Sequence, residues 1–463
     1  VAKETMSGSE IEEVKTMAAA HFWPHSRQAG DMSEETGLKV IVKGEGVWVE
    51  DAQGEKWFDV ISGMWLKNVG HGRREIANAV YEQMLDISYT PGGTVAPVTA
   101  KLAGKLASIS PDKDSRIYFV SGGSEAVETA LKMSRKFHRN NGEASRFKFI
   151  ARRGSYHGAT FMNISLGGGS AAAPMDYAPV MPYVYNIAQP GEYNCLFCKD
   201  RSGCDLECAR DLERTILQEG PDTVAAFIGE PISVASGVHI PHPDYWPTIR
   251  EICDKYGVLL ICDEVITGFG RTGKWFATEH WGIKPDITTV AKALTSGYQP
   301  IGAAIASKAV SDAFIGDASS TFKHLVTFGG NPAACAAAIA NLDIMEREDL
   351  LGNSECMGTY LYERLQDFYE HPIVGDVRGG MGLLAAVQLV KDRDTKEKFP
   401  PEAGLMQKAT ESMNKRGILT RIMGDSLHIA PPLSITKDEV DHLVESLEGV
   451  ITDLQDSLLG RIR

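Results

Sequence analysis

No apolar stretch in these 463 residues approaches the roughly 20 needed to cross a bilayer as a helix. Basic runs are missing too: 47 Lys and Arg stand against 61 Asp and Glu, a formal charge of −14 spread along the chain. That balance disfavours nucleic acid and anionic membrane surfaces as partners. It leaves small anionic substrates open, because one local Arg or Lys can hold a carboxylate. The eight cysteines do not make a disulfide framework in a chain this long. Cys253, Cys262, Cys335 and Cys356 sit in apolar or helical contexts and read as small core residues. The opening VAKETMSGSEIEEVKTMAAA is polar and helical in pattern, without the apolar centre or cleavage site of a secretory leader. A cytoplasmic location is the expectation.

What is present is the composition of a globular enzyme. Hydrophobic residues make up 43% and charged residues 23%, and the length exceeds what one core usually fills, so two domains are expected. An amphipathic helix and an irregular arm, HFWPHSRQAGDM, lead into Ile41 to Val60, whose alternation predicts a β-hairpin or short meander. Strands are predicted at Ile117–Val120, Phe147–Ala151, Val224–Ile228, Val258–Cys262, Ile287–Val290 and Ala303–Ser307. Helices such as 125–139 and 245–256 lie between most of them. This alternation argues an α/β class with a large, doubly wound, mainly parallel sheet. After Asn331 the pattern becomes α+β: helices at 332–346, 361–369, 402–415 and 437–454, and β segments within 374–389 and 417–429. The expected division is 1–65 (arm and meander, part of a small domain), 66–330 (large domain) and 331–463 (the rest of the small domain).

The chemistry concentrates in thirty residues. Asp263 closes the apolar run Val258–Cys262, and Lys292 interrupts a second run, Ile287–Leu294. An ammonium inside buried sheet is costly unless it is neutralised, paired or covalently used. A pyridoxal phosphate (PLP) enzyme uses both groups: lysine carries the aldehyde as a Schiff base and a carboxylate keeps the ring nitrogen protonated. A structural ion pair, or a lysine reaching solvent from a strand end, is the alternative. Ser121-Gly122-Gly123-Ser124-Glu125 joins a strand to a helix, and such a turn presents free N–H groups to a phosphate or serves as a cap. Tyr156-His157-Gly158 follows another strand. Tyr156 is the candidate to stack on a planar ring, and His157 is expected to bond backbone or phosphate. Glu230, in Gly229-Glu230-Pro231, sits on the sheet edge where open α/β folds bind ligands. It bonds cofactor groups, pairs with an arginine, or is a plain strand-end acid.

Taken in order, SGGSEA (121–126), YHG (156–158), GEP (229–231), DEVITGFGRTG (263–273), AKALTSGYQPIGA (291–303), TFGGNPAAC (327–335) and RIMGDSLHIAPPL (421–433) resemble a class III (ω-) aminotransferase of PLP fold type I. The likeness spans about residues 20 to 455 and is strongest to the amine or ω-amino acid:pyruvate group, which includes taurine–pyruvate transaminases. It implies that Lys292 is the Schiff-base lysine and proton shuttle, and that Asp263 pairs with the pyridinium nitrogen. Val265 and Tyr156 would sandwich the ring, and Gly123 and Ser124 would bind the phosphate. Thr327 matches a threonine that reaches the neighbouring subunit's phosphate, so a homodimer with shared active sites is implied. Trp65 matches an aromatic lining the substrate pocket, and Arg421 a mobile arginine that meets a carboxylate. A guanidinium that swings in and out would let one pocket take a 2-oxo acid and then an uncharged amine. HFWPHS (21–26) is placed at the entrance. An aminomutase, racemase or decarboxylase on the same scaffold is the alternative. The amino donor is not readable from the motifs.

One feature stands outside the resemblance. Cys195, Cys198, Cys204 and Cys208 form an insertion with two, five and three intervening residues. Four thiolates suit tetrahedral zinc, but this spacing is not a standard finger. Reduced packing thiols or a labile disulfide are favoured over a metal. Cys204 and Cys208 are expected to share one helical face.

Overall fold

The computed structural model describes residues 6–25, 38–167, 174–191, 193, 195–198 and 203–459. Among them fifteen strands form three sheets. The meander is present as β1 (Ile41–Glu45), β2 (Trp48–Asp51) and β3 (Lys56–Asp59), paired antiparallel in sequence order. The second sheet contains β4 (Arg116–Val120), β5 (Lys148–Arg152), β6 (Val184–Ile187), β7 (Val224–Gly229), β8 (Leu259–Asp263), β9 (Ile287–Val290) and β10 (Gly302–Ala306). The C-terminal part adds β11 (Val374–Arg378), β12 (Ala385–Leu389), β13 (Ile418–Leu419), β14 (Ile422–Met423) and β15 (Ser426–Ile429). β13 leaves its neighbours and pairs parallel with β3, so the N- and C-terminal segments share a sheet.

The seven-stranded sheet runs β4-β10-β9-β8-β7-β5-β6. β9, β8, β7, β5 and β6 are mutually parallel; β10 is antiparallel to both β9 and β4, which makes β4 parallel to the rest. Every residue of β7, β8, β9 and β10 is buried, as helices packed on both faces require. The helix Gly123–Asn140 covers one face with Ala126, Val127, Ala130, Leu131 and Met133; the helix Tyr245–Tyr256 buries Tyr245, Trp246 and Ile249.

The direction of the strands decides where the site lies. Segments following β4, β5, β7, β8 and β9 all emerge at one edge, the carboxyl edge, where α/β sheets place their ligands. Gly123, Tyr156, Glu230 and Lys292 lie in these segments, and Asp263 is the last residue of β8 at the same edge. No described helix is long and apolar enough to cross a membrane.

Candidate active site

A cavity of about 160 Å³ opens at that edge, and its lining includes Gly123, Ser124, Tyr156, Asp263, Val265 and Lys292. His157, Gly158, Glu230 and Thr267 complete its polar wall, and Ile232, Val234 and Ile266 its apolar one. Five of the chain's elements therefore converge on one volume.

Lys292 does not sit within a strand. β9 stops at Val290, and Lys292 opens the short 3₁₀ turn Lys292–Leu294 with φ +41°. Positive φ in a residue with a Cβ stores strain, on the order of 1–3 kcal/mol, and persists only where the surroundings hold it. Buried Asn341 supplies that hold, donating to the carbonyls of Ala293 at 2.9 Å and Leu294 at 3.1 Å. The amine makes no ion pair among the described residues, and burial pushes its pKa down to about 8, against the opposing pull of Asp263 and then Glu230. About a tenth of it is thus neutral at pH 7, far more than of an ordinary lysine, and a nucleophilic amine needs that neutral form.

This carries a stability consequence. The folded pKa of about 8 lies below the ordinary 10.5, so between the two the unfolded chain holds more protons, and stability rises with pH across that window. Below it the fold carries the full cost of a buried ammonium, on the order of 3 kcal/mol. In cofactor-stripped protein, Lys292→Met is expected to raise the thermal midpoint at pH 7. The gap should narrow as the pH passes 8. Melting curves across pH 6–10 check this, and a gap that does not change with pH would contradict it.

Asp263 ends β8 nearly buried, 5% exposed. Its Oδ1 accepts from Thr289 Oγ1 at 3.0 Å and from the Val265 N–H at 3.2 Å, while Oδ2 lies 2.7 Å from His157 Nδ1. The expectation that His157 bonds backbone or phosphate is corrected here: its ring is buried against the carboxylate. Spacing along the chain concealed this, since 106 residues separate the two partners. Three partners around one carboxylate fix its orientation.

Ser124 lies in the first turn of the helix Gly123–Asn140, and Glu125 accepts from the Ser121 N–H at 2.7 Å, closing the turn. Two glycines keep the cradle open. A Cβ on Gly123 would stand 3.0 Å from Val265 Cγ1, and one on Gly158, at φ +126°, would meet Ser124 Oγ and Asn163 Nδ2 at 2.5 Å. Ser124 Oγ accepts from the Ala159 N–H at 3.1 Å, so the two loops lock together beside the helix terminus. Tyr156 is half-buried, and its N–H donates to Glu230 Oε1 at 2.9 Å. Glu230 also accepts from Ser233 Oγ and lies 3.8 Å from Arg152 Nη2. Of the roles open to Glu230, the arginine pairing is present, and it bonds the Tyr156 backbone as well.

Trp65 is 4% exposed, and Lys292 Nζ lies 5.8 Å from its ring centroid. Its ring also meets that of His428 edge-on at 5.8 Å. His428 is held neutral, pushed down to about 3 by burial and by the charges of Arg378 and Arg421. Arg421 is exposed, and its side chain makes no ion pair among the described residues. Thr327 is exposed and outside the cavity; its carbonyl accepts from Tyr89 Oη at 2.9 Å. Phe22 and Trp23 of the entrance segment are exposed and do not line the cavity; Ser26 and most of the arm after it lie outside the described residues.

Three contributors went unread in the sequence: Thr289, Asn341 and Arg271. Arg271 is fully buried and donates to Leu383 O at 3.0 Å, Pro431 O at 2.6 Å, Asn68 Oδ1 at 2.5 Å and Ser62 Oγ at 3.3 Å. It ties the segment after Asp263 to the one bearing Trp65 and to the C-terminal sheet. The GFGRTG motif was the available signal, but nothing in it names the partners.

The cysteines remain four free thiols, three half-buried and Cys208 buried. Cys204 precedes the helix Glu207–Glu219, so it does not share a helical face with Cys208 as expected. Among the described residues no three His, Cys, Asp or Glu side chains stand as a metal site.

The cavity fits PLP. It offers a buried amine with no ion pair among the described residues, a carboxylate oriented by three partners, and an N–H-bearing helix turn kept clear by glycines. Comparison with known proteins agrees. The family model "Aminotransferase class-III" matches residues 30–451. The chain is 35% identical to putrescine–pyruvate aminotransferase of Pseudomonas aeruginosa, over 95% of this chain and 96% of that one. It is 36% identical to taurine–pyruvate aminotransferase of Bilophila wadsworthia, over 96% and 98%. The crystal structure of an (S)-enantioselective ω-transaminase from Thermomicrobium roseum superposes with a TM-score of 0.91 at 39% identity, covering 97% of this chain and all of that one. An amine transaminase solved with PLP bound, from an uncultivated Pseudomonas species, superposes at 0.89. The chain therefore belongs to the class III aminotransferases, PLP-dependent enzymes of fold type I.

Proposed function

We propose that this aminotransferase moves the amino group of a primary amine or ω-amino acid onto pyruvate or a similar 2-oxo acid. The observation that carries the proposal is the substrate side of Lys292. An apolar indole face lies 5.8 Å from its amine, and an exposed arginine with no ion pair among the described residues acts on the same aromatic pair through His428. An apolar wall suits an uncharged donor, and a free guanidinium suits the acceptor's carboxylate. The relatives named for putrescine and for taurine with pyruvate support this reading.

PLP, when bound, supplies the carbonyl that receives the amino group and a conjugated ring that accepts the electron pair from the substrate carbon. Lys292 holds the cofactor between turnovers and then removes and returns the proton at the substrate Cα. Asp263 keeps a proton on the ring nitrogen, with His157 and Thr289 fixing its oxygens. Val265 and Tyr156 flank the ring, Gly123 and Ser124 take the phosphate, and Glu230 holds the Tyr156 backbone. Trp65 bounds the donor pocket. Thr327 serves the phosphate of a second copy, in a homodimer with shared sites. The meander and the segment after 330 act as one small domain beside 66–330.

Two experiments test this. Purified enzyme offered a panel of amines with pyruvate should form alanine with at least one of them. Isomerisation of an amino acid without pyruvate consumption would replace the proposal with an aminomutase. Arg421→Ala should lower kcat/KM for pyruvate on the order of 10- to 100-fold, the worth of a charge-assisted two-point grip. The half-reaction with an uncharged amine should change little, and equal losses in both halves would remove Arg421 from substrate binding.

A further inference from the structure

A second cleft, sharing no lining residue with the active cavity, lies along the C-terminal half of the helix Gly123–Asn140. Its volume is about 500 Å³, and six cations face it: Lys132, Arg135, Lys136, Arg139, Arg146 and Lys323. No basic run announces it in the sequence. The four helical cations stand at i, i+3, i+4 and i+7, one face of a helix, and folding brings the loops with Arg146 and Lys323 to them.

Only Arg146 has carboxylate partners, Glu143 at 3.4 Å and Asp222 at 3.8 Å. The other five form no ion pair among the described residues. Lys132 Nζ meets neutral His324 at 2.7 Å, Arg135 donates Nε to Phe147 O at 2.9 Å, and Lys136 donates to Ser319 O at 2.5 Å. Asp317 feels the charge of Lys136, but its carboxylate is taken by the Ser319 N–H and Oγ at 2.7 and 2.6 Å. Like charges at i, i+4 repel and destabilise a helix. The helix dipole offsets this only in the last turn, where Arg139 lies. In a chain of charge −14, five of the six cations on this face still form no ion pair among the described residues.

We propose that the cleft binds a small molecule carrying two or more linked phosphates. Four cations spread over seven helical steps, about 10 Å, exceed the span of a single phosphate and match a di- or triphosphate. Arginine forks suit phosphate oxygens, and the volume suits a small ligand. The chain's net charge of −14 disfavours extended polyanions such as nucleic acid, so the ligand is one that fits inside the cleft. Phe147 and Phe322 in its wall offer apolar contact to whatever bears the phosphates.

Calorimetric titration of PLP-loaded enzyme with tripolyphosphate, ATP and orthophosphate tests this. Tripolyphosphate should bind one per chain, weaken with added salt, and exceed orthophosphate by at least roughly tenfold. ATP no tighter than tripolyphosphate identifies the phosphates alone as the ligand; tighter ATP adds the aromatic wall. Arg139→Glu combined with Lys323→Glu should lose at least about tenfold in affinity, with the transaminase rate and the lysine-bound cofactor absorbance unchanged. Lys132→Gln with Arg135→Gln provides a milder second variant. Equal affinity in wild type and both variants overturns the proposal, as does orthophosphate binding as tightly as tripolyphosphate. So does a variant that turns from dimer to monomer while wild type binds no phosphate, since the face would then belong to a second copy.

Discussion

Lys292→Ala should lose transamination by about 10,000-fold or more, together with the visible absorbance of the lysine-bound cofactor. The size follows from two roles that one side chain performs. An amine pushed down to about 8 is available as a nucleophile near neutral pH, and once released it is the basic group beside the substrate carbon. His157 and Glu230 also face the cavity, but His157 is tied to Asp263, and Glu230 to Ser233 and the Tyr156 backbone. Glu230 already accepts two hydrogen bonds, whereas His157 Nε2 has no partner among the described residues. Stopped-flow kinetics on the variant, with far-UV circular dichroism to verify folding, measures the loss. Retention of even one per cent of the rate would transfer the proton role to another residue.

Asp263→Asn should reduce kcat on the order of 1,000-fold while the protein stays folded and still binds PLP. Asparagine keeps the shape and one acceptor oxygen, so Thr289 or His157 retains a partner. What disappears is the negative charge that keeps a proton on the ring nitrogen, and with it the ring's capacity to accept electrons from the substrate carbon. A cofactor analogue methylated at that nitrogen carries its positive charge permanently. It should recover much of the loss in the variant and little in wild type. No recovery would mean that the aspartate serves to position the ring rather than to charge it.

The parts of the site that were legible are those carried by short segments. Asp263 and Lys292 stand where charged residues break apolar runs, and the strand Ile287–Val290 and helix Tyr245–Tyr256 coincide with their predicted limits. The edge strand Val184–Ile187 was not anticipated, because three of its four residues are only half-buried and give no alternation. The antiparallel course of β10 had a signal that went unused. Eleven residues separate Val290 from Gly302, too few for the crossover that a parallel neighbour needs, on the order of a dozen or more.

Other contacts had no local signature. His157 finds Asp263 across 106 residues, Arg271 reaches Asn68 across 203, and Asn341 pins the Lys292 turn from a different helix. A buried polar side chain must find a partner, but the rule that demands one does not name it. The basic cleft was invisible for the same reason, its cations being spaced for a helix face rather than in a run.

The sequence by itself determined the α/β class, the lysine and the carboxylate, because periodicity and charge at strand ends are properties of neighbours along the chain. Only the tertiary structure decided which groups aim that carboxylate, how far the lysine is stripped of water, and where five cations gather that form no ion pair among the described residues. Those depend on distances through space and on burial, both created when the strands align their carboxyl ends along a single edge.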